Sequence, residues 1–332
     1  MAHEGMTREW LEGRQAYVGA SDVAGVLGMG DPRWSSPARV WSSKVGDVDT
    51  STSVSARMGH TLEPLILAEA GRRLGGEVVH CQGEDLLLQH PEIPLAVHLD
   101  GLWLDDETGQ QIPVEAKFST GDEGRSWAND IAAGPDMLEA WLADKSSPWP
   151  AGTVVEGWYC QIQAQLLCTG PVDEGGASYA WLAAVIGARA GCQLMMGLPV
   201  DPNGMRMLRI DRDEEMGAKI MAAVPAFWER HVVNGVVPDA LITAADRGAI
   251  RRSFWQHRDG AEVELPTLAG TVGDLAGLKA EIKERETEAK ALEGKIRATM
   301  QDSMRAVCCD WIVTCKTTKT GARPMRIKRM KT

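Results

Sequence analysis

The stretch that most constrains this chain runs from Val97 to Phe118. It reads Val-His-Leu-Asp-Gly-Leu-Trp-Leu-Asp-Asp, then a polar turn, then Ile-Pro-Val-Glu-Ala-Lys-Phe. Two short apolar runs around the turn Asp105 to Gln110 predict two strands joined as a hairpin. With a strand period of two, Glu115 and Lys117 face the same way. If the strands pair, Asp100 on the first brings a second carboxylate to that face. Two carboxylates and an ammonium on one side of a sheet suit a hard divalent cation with a lysine beside it. Such a set points to phosphodiester hydrolysis. The carboxylates hold Mg²⁺, the ion polarises the phosphate and activates water, and the lysine steadies the attacking water or the developing charge. The string itself is short, and a Glu/Lys pair on the wet face of an edge strand reads the same way. The rest of the chain has to decide between them.

Composition removes several alternatives. The 332 residues suffice for one large domain with an appendage, or for two domains. No apolar run reaches membrane-spanning length. The start, Met-Ala-His-Glu-Gly-Met-Thr-Arg-Glu-Trp, has no basic segment followed by a hydrophobic one, so a cytoplasmic location is the expectation. The seven cysteines form no Cys-x-x-Cys pair and lack spaced histidine partners, which argues against zinc and against a disulfide scaffold. A net charge of -11 argues against a protein that coats nucleic acid nonspecifically, but is compatible with a nuclease that has one local basic groove. No glycine-rich phosphate loop follows a strand, so a nucleotide-driven motor lacks its motif.

Taken in order, Thr7 to Tyr17 predicts a short helix. Ser21 is placed to cap a second helix, with Asp22 in its first turn. The same N-terminus offers a hydroxyl and backbone donors for a terminal phosphate, and Arg14 and Arg33 flank it. Pro37 to Val45 predicts a helix with Trp41 inward. After the polar connector Thr50 to Ser55, Leu62, Leu65, Ile66 and Glu69 have helical spacing. Pro64 is tolerated in a first turn, which puts Glu63 near the helix start, either as a cap-region carboxylate or as a third acid for the metal site. Gly75-Gly76 ends that helix, and strands follow at Glu77 to His80 and Asp85 to Gln89. Ser119 to Gly152 reads as a long excursion with a short helix at Met137 to Ala143. Its Trp127, Trp141 and Trp149 are either core or stacking surfaces.

Val154 to Cys168 predicts a helix with Val155, Tyr159, Ile162 and Leu166 in one stripe. Gln161 and Gln165 lie one turn apart on a neighbouring face and Gln163 points elsewhere. Strands are expected at Ala177 to Ile186 and Met205 to Ile210, with an ambiguous strand or turn at Arg189 to Met196. A long helix spans Asp213 to Val233, interrupted or bent at Pro225. Ala244 to Glu264 reads as weakly structured or as a surface loop, and Leu268 to Met304 as one charged helix suited to packing on another element or on a partner helix. The end carries Lys316, Lys319, Arg323, Arg326, Lys328, Arg329 and Lys331 with no acid among them. It is either a phosphate-contacting surface or a solubilising tail. The domain reading is therefore 1–240 for a nuclease domain, 241–267 for a connector, and 268–332 for the charged helix and basic end.

In these residues the chain resembles the YqaJ-like viral recombinase family, the phage-type alkaline exonucleases within the restriction-endonuclease-like nucleases. Gly19-Ala20-Ser21-Asp22 with Leu27-Gly28, Met58-Gly59 with Leu62-Glu63-Pro64, Asp100-Gly101, Glu115-Ala116-Lys117, and Tyr159 to Gln165 with Thr169-Gly170 follow the family's order. The resemblance implies an α/β, restriction-endonuclease-like core: a central mixed sheet flanked by helices, with the helical arm and basic strand-like end appended. It implies Asp100, Glu115 and the carbonyl of Ala116 as ligands of Mg²⁺, which Mn²⁺ replaces, and Lys117 as the residue serving the water or the transition state. Glu63 completes the acidic cluster, directly or through water, and Gln161 orients nucleophile or substrate. Ser21, Arg14 and Arg33 sit near the DNA end. The implied activity is 5′-to-3′ exonuclease action on linear duplex DNA, leaving 3′ overhangs for a phage annealing protein. The implied setting is a trimeric ring in a bacterial host, encoded by a phage or prophage. A nicking endonuclease of the same fold and a non-catalytic DNA-binding scaffold are the alternatives.

Overall fold

A computed structural model describes residues 8–30, 35–46, 54–81, 87–119, 154–200, 204–238, 246–254, 259–260 and 262–330. The chain divides into two compact units, Met1–His257 and Arg258–Thr332.

The first unit contributes β1 (Val18–Gly19), β2 (Val78–His80), β3 (Leu87–Gln89), β4 (Leu95–His98), β5 (Gly101–Leu104), β6 (Gln111–Ser119), β7 (Tyr179–Ile186) and β8 (Met205–Asp211). Five of them form one sheet in the order β2-β5-β6-β7-β8, while β1, β4 and β3 form a small second sheet. The main sheet is mixed: β6 and β7 run parallel and its other pairs are antiparallel. A parallel pair needs a long crossover. Here the helix Val154–Cys168 lies within that connection. One face of the sheet packs Val114, Ala116 and Phe118 against Leu62 and Ile66 of the helix Val54–Leu74. The other core gathers Tyr159, Ile162 and Leu166 with Leu182, Leu208 and Ile220. This is the central mixed sheet flanked by helices expected from the sequence, with β6 as its covered middle strand.

The helix Pro37–Val45 forms as expected, capped by the Ser36 hydroxyl, which accepts from the Arg39 N–H at 3.2 Å, and Trp41 is buried. The helix after the polar connector differs. It spans Val54–Leu74, so Pro64 lies deep inside it and Glu63 is mid-helix, not near the start. An internal proline costs about 3 kcal/mol through the lost bond to the carbonyl four residues back. Burial of Leu62, Ile66 and Leu67 at about 1.5–3 kcal/mol each outweighs it. Propensity alone does not reveal that balance. Gly75, at φ 77°, ends the helix in the left-handed region as expected.

Three further expectations change. Ser21 caps nothing: it sits inside the 3₁₀ turn Ala20–Asp22, and the short helix Val23–Val26 follows directly. Arg189 to Met196 is not a strand: up to Met195 it belongs to the helix Ala188–Met195, whose Ala190, Gly191 and Leu194 are buried, and Met196 is its C-cap. A Cβ on Gly191 would lie 2.6 Å from the Phe118 ring, so the glycine permits this helix to approach β6. Within Ala244 to Glu264 a helix forms at Arg247–Ser253. Pro225 does not interrupt the helix Glu214–Phe227, which contains it, and a π turn, Trp228–Val233, follows. The Ser119 to Gly152 excursion beyond Ser119, with its three tryptophans and helix, lies outside the described residues; so does the connector Thr50 to Ser55 up to residue 53, while Val54 and Ser55 already begin the helix Val54–Leu74.

The second unit holds the helix Ala269–Met300 and the strands β9 (Arg305–Cys308), β10 (Trp311–Cys315) and β11 (Met325–Arg329). The strands form an antiparallel sheet in the order β11-β10-β9. Its small core is Met300, Val313 and Cys315 with Ile296, Ala306 and Met325. Val272, Leu275, Leu278 and Ile282 of the helix are exposed. No helix among the described residues is long and apolar enough to cross a membrane.

Candidate active site

Glu115 sits on β6 and is 1% exposed. A buried carboxylate is costly unless charge and hydrogen bonds compensate it. Compensation comes from three directions. Lys117, two residues along the strand and on the same face, pairs with Oε1. Gln161 Nε2 donates to Oε1 at 2.6 Å, and Gln165 Nε2 donates to Oε2 at 2.5 Å. The two glutamines come from successive turns of the helix Val154–Cys168, which places them on one face. Gln163, on another face, is structural: it donates to the Asp211 carbonyl and accepts from the Asp213 N–H, both at 2.9 Å.

Asp100 does not lie on a strand. One chain segment serves β4 in the small sheet and β5 in the main sheet, and Asp100 stands at the switch between them. The pairing of β5 with β6 begins only at Gly101 and Val114. Beyond it, the Ala116 N–H is free to donate to Asp100 Oδ2 at 2.9 Å. In an extended strand the carbonyl of a residue projects to the same edge as its N–H, so the Ala116 carbonyl turns toward Asp100 as well. Gly101 makes the switch possible: a Cβ there would lie 2.7 Å from a Val78 methyl.

Burial, reinforced by Glu115 and Glu63 and only partly offset by Lys117, holds the Asp100 carboxyl well above the usual aspartate range. Burial works against the Lys117 ammonium, but the charges of Glu115, Asp100 and Glu63 keep it above its ordinary value. Three carboxylates thus surround one ammonium. Glu63 has its own partners: His80 Nε2 lies 3.0 Å from Oε1 and His60 Nδ1 3.7 Å from Oε2. Burial would raise the Glu63 carboxyl, yet the two histidines hold it below the usual range. Burial first, then Asp100 and Glu63, push the nearby Cys81 thiol up to about 11, which leaves it unsuited to act as a thiolate.

Among the described residues no group of three or more His, Cys, Asp and Glu side chains forms a ready metal cage. The donors near Glu115 are nonetheless the kind a hard cation takes: the Asp100 and Glu115 carboxylates and the Ala116 carbonyl, all oxygen. The buried Gln165 Oε1 has no hydrogen-bond donor among the described residues. Excess negative charge and oxygen-only donors fit Mg²⁺ or Mn²⁺ and do not fit a soft, thiolate-seeking ion.

The structure therefore brings Asp100, Glu115, Ala116, Lys117 and Gln161 together, with Glu63 coupled to them electrostatically. Arg14 and Ser21 form a second group, where an Arg14 guanidinium nitrogen donates to the Ser21 hydroxyl at 3.3 Å. Asp22 in the same turn accepts from Lys44 at 2.7 Å and from the Gly19 N–H at 3.0 Å. This turn packs on the helix Val154–Cys168 that carries the glutamines. Arg33 lies outside the described residues. Sequence reasoning set Gln165 beside Gln161 on one helix face but did not name it in the site, and it missed His60 and His80. The turn spacing from Gln161 signalled Gln165 and the three-residue spacing to Glu63 signalled His60. His80 arrives from β2 and has no local signal.

Residues 9–171 match the YqaJ-like viral recombinase domain. The chain is 24% identical over 300 residues to the protein YqaJ of Bacillus subtilis (strain 168), covering 89% of this chain and 78% of that one. Among solved structures it is similar to an alkaline exonuclease (LHK-Exo) from Laribacter hongkongensis, with 22% identity, 69% of this chain and 94% of that one covered, and a TM-score of 0.45. It is also similar to a phage related exonuclease from Haemophilus somnus 129PT, with 14% identity, 66% and 96% covered, and a TM-score of 0.43.

Proposed function

The chain belongs, through residues 9–171, to the YqaJ-like viral recombinase domain family, and from that premise we propose that it is a metal-dependent deoxyribonuclease that degrades linear duplex DNA from its ends. The observation that carries this reading is Glu115. It is a buried carboxylate on the central strand, held by Lys117, Gln161 and Gln165, with Asp100 and the Ala116 carbonyl at the adjoining sheet edge. So concentrated a set of charges has no evident structural purpose, because apolar residues would fill a central strand at lower cost.

Asp100, Glu115 and the Ala116 carbonyl would hold Mg²⁺, with Mn²⁺ as a substitute. Bound there, the ion supplies polarisation of the scissile phosphate and a lowered pKa for water. Lys117 keeps its proton among three carboxylates and serves as a fixed positive charge for the attacking water and the developing phosphorane charge. Gln161 and Gln165 hold the Glu115 carboxylate in one orientation. Glu63, steadied by His60 and His80, adds negative charge beside the site. Arg14 and Ser21 would meet the terminal phosphate of the DNA end. The 5′-to-3′ direction, the 3′ single-stranded product, the trimeric ring and the phage annealing partner belong to the same reading and rest on the family resemblance.

The test is digestion of linear duplex DNA labelled at either end, with and without a 5′ phosphate, and with a closed circle as control. Loss of the 5′ label as mononucleotides, an intact circle and dependence on Mg²⁺ are expected. Nicking of the circle would replace the exonuclease with an endonuclease. No cleavage of either substrate in Mg²⁺ or Mn²⁺ would leave only a DNA-binding scaffold.

A further inference from the structure

The basic end of the chain is sorted by strand register. Paired residues of an antiparallel sheet point to the same face. Trp311, Val313 and Cys315 of β10 share one face with Arg329, Ile327 and Met325 of β11 and with Cys308 and Ala306 of β9. That face carries the small core formed with Met300 and Ile296. The opposite face has two rows. One is Arg305, Thr314 and Arg326; the other is Val307, Ile312 and Lys328. Arg305, Arg326 and Lys328 are exposed. No carboxylate pairs with them among the described residues.

The fold also removes two of the basic residues that the bare sequence groups with them. Arg323 is consumed by structure, donating to the carbonyls of Cys315, Gln301 and Ser303. Arg329 lies on the core side and faces Asp310 at 3.9 Å. What remains is a sheet face with three unpaired cations and no acid, on a chain whose net charge is -11. Like charges gathered without counter-charge are unfavourable until an anion meets them.

We propose that this face of the β9-β10-β11 sheet is a second DNA-contacting surface that binds the phosphate backbone of duplex DNA without reading sequence. Charge complementarity argues for a polyanion. The absence of an aromatic side chain on this face argues for phosphates over stacked bases, since the one aromatic residue of the three strands, Trp311, is on the other face. Thr314, between the two arginines, adds a hydroxyl donor to the row. The proposal rests on DNA being the substrate. It gives the protein a hold on duplex that does not depend on the carboxylate site.

The test uses the full chain in chelator, so that nothing is cut, with a fluorescein-labelled duplex and anisotropy read over a range of salt. The triple variant Arg305→Gln, Arg326→Gln, Lys328→Gln removes the three charges from exposed positions. A control, Lys279→Gln, Lys283→Gln, Lys290→Gln, removes three charges from the helix of the same unit. Each phosphate contact contributes about 0.9 to the slope of log K against log salt. The face variant is expected to lower that slope by about 2.7 and to weaken binding, with each single substitution lowering it by about 0.9, while the control binds as the parent does. A face variant with the parent's slope and affinity overturns the proposal and assigns the charges to edge protection of the strands. So does a parent that does not bind duplex at all. Cleavage assayed separately in Mg²⁺ keeps the two readings apart. A parent that cuts while its face variant binds unchanged retains the nuclease and loses this surface. A parent that binds through the face but never cuts retains the surface and loses the nuclease.

Discussion

Glu115 on β6 and Arg326 on β11 both carry charge on a strand, and their surroundings are opposite. Glu115 is 1% exposed and meets an ammonium and two amides. Arg326 is exposed and meets no carboxylate among the described residues. In the first case the protein supplies every partner, so the charge is held in one geometry before substrate arrives. In the second the partner is left to come from outside. Preorganised charge suits chemistry, where a displacement of an ångström is costly. Unpaired, solvated charge suits holding a polyanion at many registers, since counterion release does not need a fixed geometry.

The largest expected effects break the first half of that comparison. Lys117→Ala should lower the single-turnover cleavage rate on linear duplex in Mg²⁺ by about 10²–10³-fold, the scale of one lost transition-state partner. Glu115→Ala should lower it further, with duplex binding in chelator retained. Full Mg²⁺-dependent activity in both variants would sink the assignment.

Next comes a buried pair outside the carboxylate cluster. Lys44, whose side chain is 3% exposed, pairs with Asp22 at 2.7 Å. Burial would raise the Asp22 carboxyl, but Lys44, Arg14 and the Gly19 N–H together hold it below its ordinary value. Lys44→Met should destabilise the fold by about 3 kcal/mol, because Asp22 is left without its main counter-charge. Urea unfolding measures it, and a loss comparable with that of an exposed lysine would refute the pairing. The sign with pH follows from a depressed folded-state pKa. The stabilisation from Asp22 is present above the usual aspartate range and is lost as pH falls toward the lower folded-state value, a loss Lys44→Met should largely lack.

A smaller effect is expected at Gln165. Gln165→Leu removes the donor to Glu115 Oε2 and should cost about 2 kcal/mol in stability, the range for hydrogen bonds to charged groups, with a drop in cleavage rate. An unchanged rate with lowered stability would make Gln165 structural, like Gln163. The smallest expected change in stability is at Asp100. Its folded-state carboxyl is raised, so in chelator the native state binds more protons than the unfolded one above the usual aspartate range. Stability should therefore fall as pH rises through the window up to the raised value. Asp100→Asn should flatten that fall, slightly raise stability at neutral pH, and remove cleavage.

Much of this was legible in the residues because it is local. Glu115 and Lys117 share a face by strand period, Gln161 and Gln165 by helix period, and the helix boundaries at Pro37–Val45 and Val154–Cys168 follow from apolar spacing. Tertiary contacts explain two of the failures and a competing local hydrogen bond the third. Pro64 argued for a helix start until the burial of Leu62, Ile66 and Leu67 overrode it. Ser21 had a cap's identity but the chain enters a 3₁₀ turn there, set by the Asp22 carboxylate holding the Gly19 N–H. The helix Ala188–Met195 depends on the approach of Gly191 to Phe118, a contact between distant residues.

The sequence by itself determined which charged residues share a local face, since backbone periodicity needs no partner. Tertiary structure alone decided how those faces are used. It set Asp100 at the switch between two sheets, where the Ala116 N–H has no strand partner. It brought His80 to Glu63, and it divided the basic end between one core-side face and one open face. Each depends on which strands pair, and pairing is chosen by burial over the whole chain, not by any one stretch of it.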